Sequence, residues 1–179
     1  MVAEQQRRTF LAGVSTVAGL GLAGCSDLVG EDENNNNVNL TTLTIDSDGS
    51  QAYLITGVEG VRSESDVVPD GLNENNPELS LIEEDRYRFE ADDNTLEDHP
   101  IKFNDEDGDG LLNQEGAGTF EDDDDIDWID DGDAVEFTLT ESLQEELVAY
   151  QCHTHSGMEG TIVEGADDDN NSGNGNVGY

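Results

Sequence analysis

Forty-four carboxylate side chains stand against six lysines and arginines in this chain, a formal net charge of −38. That imbalance limits what the sequence can fold into. Two of the cations, Arg7 and Arg8, sit at the extreme N-terminus, and Lys102 is the single lysine. So anionic a surface repels nucleic acid and anionic lipid, which makes both poor partner candidates. High charge with few apolar residues can leave a chain disordered, because burial then fails to offset chain entropy. Here the acidic residues interleave with apolar alternation and do not displace it: in Tyr87, Phe89 and Ala91, and again in Val135, Phe137 and Leu139, every second residue is apolar. We therefore expect a folded domain adapted to near-molar salt, where the Debye length shrinks to about 3 Å and self-repulsion is screened.

The 179 residues suit one domain plus tails. Between residues 41 and 165, short strand-like runs are separated by polar loops rich in Gly and Asp. They fall at 41–46, 52–58, 86–90, 99–103, 134–140, 147–152 and 161–164, with a hint of helix at 141–147. Seven such runs predict an all-β domain, an antiparallel β-sandwich. Residues 104–126 form its least sheet-like part, an acidic insertion between two strands.

The flanks carry addressing signals. Gln6-Arg7-Arg8-Thr9-Phe10-Leu11 precedes an apolar, Gly/Ala-rich run too short for a typical span, which ends at Leu22-Ala23-Gly24-Cys25. Paired arginines before such a run resemble a twin-arginine export signal, and the four-residue ending resembles a lipobox. Residues 1–25 are thus expected to be a signal peptide, with Cys25 lipidated and first in the mature chain; an uncleaved membrane anchor is the alternative. Either way the domain sits outside the cytoplasm at a membrane surface. Residues 26–40, with Glu31-Asp32-Glu33 and Asn34 to Asn37, lack an apolar period and serve as a flexible tether with a reach of roughly 20 Å. Residues 166–179, rich in Asp, Asn and Gly, are expected to be a disordered tail.

The chain has two cysteines. If Cys25 carries lipid, Cys152 has no disulfide partner within the chain. A lone thiol outside the cytoplasm is either buried and inert or chemically employed. Its neighbours favour employment. From Tyr150 the chain runs Gln151-Cys152-His153-Thr154-His155-Ser156-Gly157-Met158-Glu159-Gly160. A thiolate, an imidazole and a thioether thus fall within seven residues, between two strand-like runs. Soft sulfur with imidazole favours copper, most simply as two histidines and a cysteine with a weak methionine. The second histidine is His99, the one histidine outside this loop, which Pro100 biases toward extended backbone. His153, next to Cys152 on an extended segment, should face away from the thiolate. Trp128 and Tyr150 are expected in or near the core.

These residues resemble the plastocyanin/azurin (cupredoxin) family of type 1 blue copper proteins, and among them the halocyanin-like lipoproteins of haloarchaea. The likeness rests on Cys-x-x-His-x-x-Met, a Tyr two residues before the Cys, Gly-Met-x-Gly leading into a final strand, and the run Gly132 to Thr140; it spans roughly residues 80–165. It implies a Greek-key β-sandwich over residues 41–165, with His99, Cys152 and His155 as equatorial copper ligands and Met158 as the axial one. It also implies one-electron transfer with membrane-bound or soluble redox proteins, by a monomer. The family has Asn-Val after its first histidine where Pro100-Ile101 stand here, and often a proline where Thr154 stands. A cell-surface copper-binding or copper-delivery protein is the alternative function, and a metal-free module of the same fold a third. Catalysis is not expected: multicopper oxidases need more than three histidines, a binuclear copper site needs two cysteines in one loop, and no nucleophile–base set stands out.

A second motif, Asp105-x-Asp107-x-Asp109-Gly110 with Asn113 at the ninth position, matches the opening of a calcium loop. The twelfth position is Gly116, however, with Glu115 one residue early, and no amphipathic helix flanks it. A solvated acidic loop is the simpler reading. Far-UV circular dichroism across salt concentration tests the central expectation: a β spectrum should develop as salt rises toward molar, and a spectrum that stays unfolded there contradicts it.

Overall fold

The computed structural model describes residues 39–91 and 93–166. The expected signal peptide with Cys25, nearly all of the tether and the tail beyond Ala166 lie outside the described residues.

Ten strands and three single-turn helices are formed among the described residues. In chain order they are β1 (Leu40–Ser47), β2 (Tyr53–Gly60), α1 (Glu64–Val67), β3 (Leu79–Leu81), β4 (Arg86–Ala91), α2 (Thr95–Asp98) and β5 (Ile101–Asn104). There follow β6 (Gly110–Asn113), β7 (Ile129–Asp130), β8 (Ala134–Thr138), α3 (Glu141–Gln144), β9 (Ala149–Cys152) and β10 (Glu159–Glu164). The fold is all-β. One sheet runs β2-β1-β4-β8-β7, the other β3-β10-β9-β5-β6. Both are mixed, which corrects the antiparallel expectation: β1 pairs parallel with β4, and β10 parallel with β3. Alternation specifies which face of a strand is buried but not the direction of its neighbour, so the sequence pattern is silent on this point.

Period 2 is obeyed where it was read. Thr41, Leu43 and Ile45 of β1, Tyr87 and Phe89 of β4, and Val135 and Phe137 of β8 are all buried. Phe103 of β5 reaches across from the other sheet, its ring 5.2 Å from Phe89 and 4.9 Å from Phe137 in edge-on contact. Trp128 packs against the same rings at 6.3 Å, half-buried as expected. Side chains of the two sheets thus share one core.

The opposite face of β4 and β8 holds arginines. Arg88 lies directly across from Glu136 and pairs with it at 3.2 Å and with Glu90 at 2.9 Å. Arg86, buried, is ion-paired to Glu136 and to Asp127 and donates to the Thr138 hydroxyl at 3.0 Å. The paired carboxylates Glu90 and Glu136 hold the Arg88 guanidinium above its ordinary value. Arg62 pairs with the buried Asp85. A scarce cation in an acidic chain is thus used to bridge strands.

The segment 104–126 is not a plain insertion. It carries β6, which pairs with β5 and buries Leu111 and Leu112, and it returns Ile126 to the core. β3, β6 and β7 are short, and their flanking acidic or Asn-rich loops obscure the alternation that longer strands display.

Candidate metal centre

β5 and β9 lie side by side, with Ile101 opposite Cys152 and Asn104 opposite Ala149. This ladder sets the two halves of the candidate site at one end of the second sheet. His153 N–H donates to Pro100 O at 2.7 Å, extending the pairing by one step beyond the strands. His99 itself does not open a strand. It ends the helical turn α2, its N–H donating to Thr95 O at 2.7 Å, before Pro100 stops the helix and β5 begins. The turn is locked from its other end by Asp93, which accepts from the Thr95 hydroxyl at 2.6 Å and the Thr95 N–H at 2.9 Å. Those hydrogen bonds hold the Asp93 carboxyl below its usual range. The lock is therefore present above the ordinary aspartate value and is lost as pH falls through the lowered one.

The loop after β9 is closed by its own backbone. Cys152 N–H donates to Met158 O at 2.8 Å and Met158 N–H to His155 O at 3.0 Å. Cys152 and Met158 are buried, His99 and His155 are half-buried, and His153 is exposed, as its position beside Cys152 predicts. Gly160, in β10, faces Tyr150 across the ladder, and a Cβ there would run into the Tyr150 ring. That contact explains the glycine two residues after Met158, since only a residue without a side chain leaves room for the ring.

The donor atoms converge. His99 Nδ1 and His155 Nδ1 are 3.1 Å apart, and Cys152 Sγ lies 3.5 Å from His155 Nδ1 and 3.9 Å from His99 Nδ1. A point inside that triangle is roughly 2 Å from all three atoms, close to the lengths of metal–imidazole (~2.0 Å) and metal–thiolate (~2.3 Å) bonds. These three side chains lie close enough to hold a metal ion, and among the described residues they are the one such group of His, Cys, Asp and Glu. Met158, the fourth expected ligand, is placed by its buried side chain in the same core cluster as Cys152.

Three neighbours escaped the sequence reading. The Tyr53 hydroxyl, fully buried at the start of β2, donates to His99 O at 2.5 Å. Burial, with smaller contributions from Cys152 and Tyr150, pushes that hydroxyl far above its ordinary value, so it stays a donor. Burial likewise raises Tyr150, whose hydroxyl donates to Pro77 O at 2.7 Å. Asn76, at a left-handed φ of 49°, ties β2 to the ligand loop. Its Oδ1 accepts from Tyr53 N–H at 2.9 Å, its N–H donates to Tyr53 O at 2.8 Å, and its Nδ2 donates to Gly157 O at 3.1 Å. Thr154 places its Oγ1 beside both Cys152 and His155. An Asn-Asn-Pro run (75–77) is a turn signal in sequence, but nothing there indicates which loop it would hold.

The acidic motif at 105–113 adopts a different role. Asp105 turns its Oδ1 back onto the N–H groups of Asp107 (3.0 Å) and Asp109 (2.8 Å), closing the hairpin between β5 and β6. Asn113 Oδ1 accepts from Glu115 N–H at 3.1 Å. Strands flank this loop where a calcium-binding helix–loop–helix needs helices. Among the described residues its carboxylates form no group placed to hold a metal ion.

No protein-family model matches the chain, and no curated protein or solved structure does either. Among the described residues no helix is long and apolar enough to cross a membrane.

Substitution of Asn76 separates its two contributions. Asn76→Gly should cost about 1 kcal/mol through the lost hydrogen bonds, and Asn76→Ala about 1–2 kcal/mol more because a Cβ is strained at positive φ. Urea unfolding of both variants in molar salt provides the measurement.

Proposed function

We propose that this chain is a Greek-key, cupredoxin-like β-sandwich that binds one copper ion and carries single electrons between redox partners outside the cytoplasm. The observation that carries the reading is the His99–Cys152–His155 triangle, whose size suits one ion and whose mixed nitrogen and thiolate donors suit copper. Met158 would complete the set as a weak axial ligand. When bound, copper supplies a one-electron couple, Cu(II) to Cu(I), with the electron coming from and going to redox proteins, membrane-bound or soluble.

The residues around the triangle support that use. Tyr53, Asn76 and the β5–β9 ladder fix the ligands before any ion arrives, and a site that changes little between two charge states transfers electrons with little reorganisation. Cys152 is buried, which shields the thiolate from oxidants. His155 is half-exposed and is our candidate for the edge through which electrons pass. Export by the twin-arginine route and lipidation at Cys25 would hold the domain at the outer membrane face, on a tether long enough to reach partners of either kind. The same reading assigns no enzymatic activity, no nucleic-acid partner and a monomer. A cell-surface copper-delivery protein would use the same ligands, and a colourless protein that takes only Cu(I) would favour it.

Adding Cu(II) to the protein in molar salt, with absorption and EPR spectra recorded, tests the reading. The wild type should develop an intense visible thiolate-to-Cu(II) band with a narrow copper hyperfine splitting, and Cys152→Ser should abolish the band. Equal copper uptake by wild type and Cys152→Ser, with no such band in either, contradicts it.

A further inference from the structure

A fourth polar atom borders the donor triangle. Thr154 Oγ1 lies 3.0 Å from His155 Nδ1 and 3.4 Å from Cys152 Sγ. A hydroxyl has a single proton to give, and the two acceptors compete for it. In the metal-free protein the single Nδ1 site of His155, lone pair or N–H, is shared between the hydroxyl and His99 Nδ1, 3.1 Å away. A metal ion on Nδ1 occupies that lone pair. The thiolate keeps lone pairs after binding the same ion, so sulfur becomes the acceptor that remains.

Three donors of the surrounding segments have partners of their own. Cys152 N–H goes to Met158 O, His153 N–H to Pro100 O, and the Tyr53 hydroxyl to His99 O. Pro100 has no N–H at all. We propose that Thr154 sets the potential of the metal centre, its hydroxyl donating to the Cys152 thiolate in the loaded protein. This rests on the copper reading above. A hydrogen bond to sulfur draws electron density away from the metal–thiolate bond, which favours the more electron-rich Cu(I) and raises the potential. Thr154 is exposed, so Thr→Val keeps the shape of the side chain at a position where packing is not at stake. It acts through Cys152 and is a positioning residue.

The test compares copper-loaded wild type, Thr154→Val and Thr154→Ser by redox titration, absorption and resonance Raman. The Val protein should show a lower reduction potential, a thiolate-to-Cu(II) band shifted to lower energy and a higher Cu–S stretching frequency; the Ser protein should keep the wild-type values. A Val protein with wild-type potential and band energy overturns the assignment. Pulsed EPR of the wild type and Thr154→Val in H2O and in D2O supplies a second measurement. An exchangeable proton coupled to the Cu(II)–thiolate unit in the wild type and missing from the Val protein supports the assignment, and identical exchangeable couplings in the two overturn it. A wild type with no thiolate-to-Cu(II) band removes the copper reading itself, whereas a wild-type band with an unshifted Val protein removes only the role of Thr154.

Discussion

The β5–β9 ladder is the interaction on which the rest of the site depends. Four paired positions, from Ile101 opposite Cys152 to Asn104 opposite Ala149, hold two segments about fifty residues apart in sequence at one sheet end. Because the pairing alternates faces, a slip of one residue would turn Cys152 outward and Gln151 inward. Register is defended from both directions. Phe103 and Tyr150, opposite each other on the ladder, are both fully buried, and Phe103 is gripped by Phe89 and Phe137 of the other sheet. The geometry of the His99–Cys152–His155 triangle is in this sense a consequence of aromatic packing along the same ladder.

Charge is handled separately from the core. Arg86 and Arg88 sit where β4 and β8 meet, and each serves more than one carboxylate. Arg86 also satisfies a hydroxyl and a backbone carbonyl, as a planar fork of donors can and an ammonium cannot. Most other carboxylates on the sheets and loops are exposed. Their mutual repulsion opposes compaction at low ionic strength, which is why the account places this fold in concentrated salt.

Much of this was legible in the sequence. The long strands announced themselves because β1, β4 and β8 alternate strictly, and the donor loop because thiol, imidazole and thioether crowd into seven residues. His99 could be picked as the partner by counting histidines, but its backbone could not: the helical turn that delivers it is four residues long and bounded by acidic residues of low helix-forming character. The parallel pairs were invisible because direction of pairing leaves no mark on alternation. β3, β6 and β7 were missed because two to four residues carry too little period to count. Tyr53 and Asn76 act through hydrogen bonds to backbone distant in sequence, which leave no spacing to betray them, and Thr154 acts through a hydroxyl whose direction its neighbours in sequence do not fix.

The central claim is that two imidazole nitrogens and one thiolate form the metal centre, and that the abundant surface carboxylates do not. X-ray absorption fine structure of the copper-loaded protein in molar salt measures this directly. The account predicts two nitrogen neighbours at about 2.0 Å and one sulfur at about 2.3 Å, the lengths expected of imidazole and thiolate on such an ion. A shell of oxygen neighbours with no sulfur would contradict it.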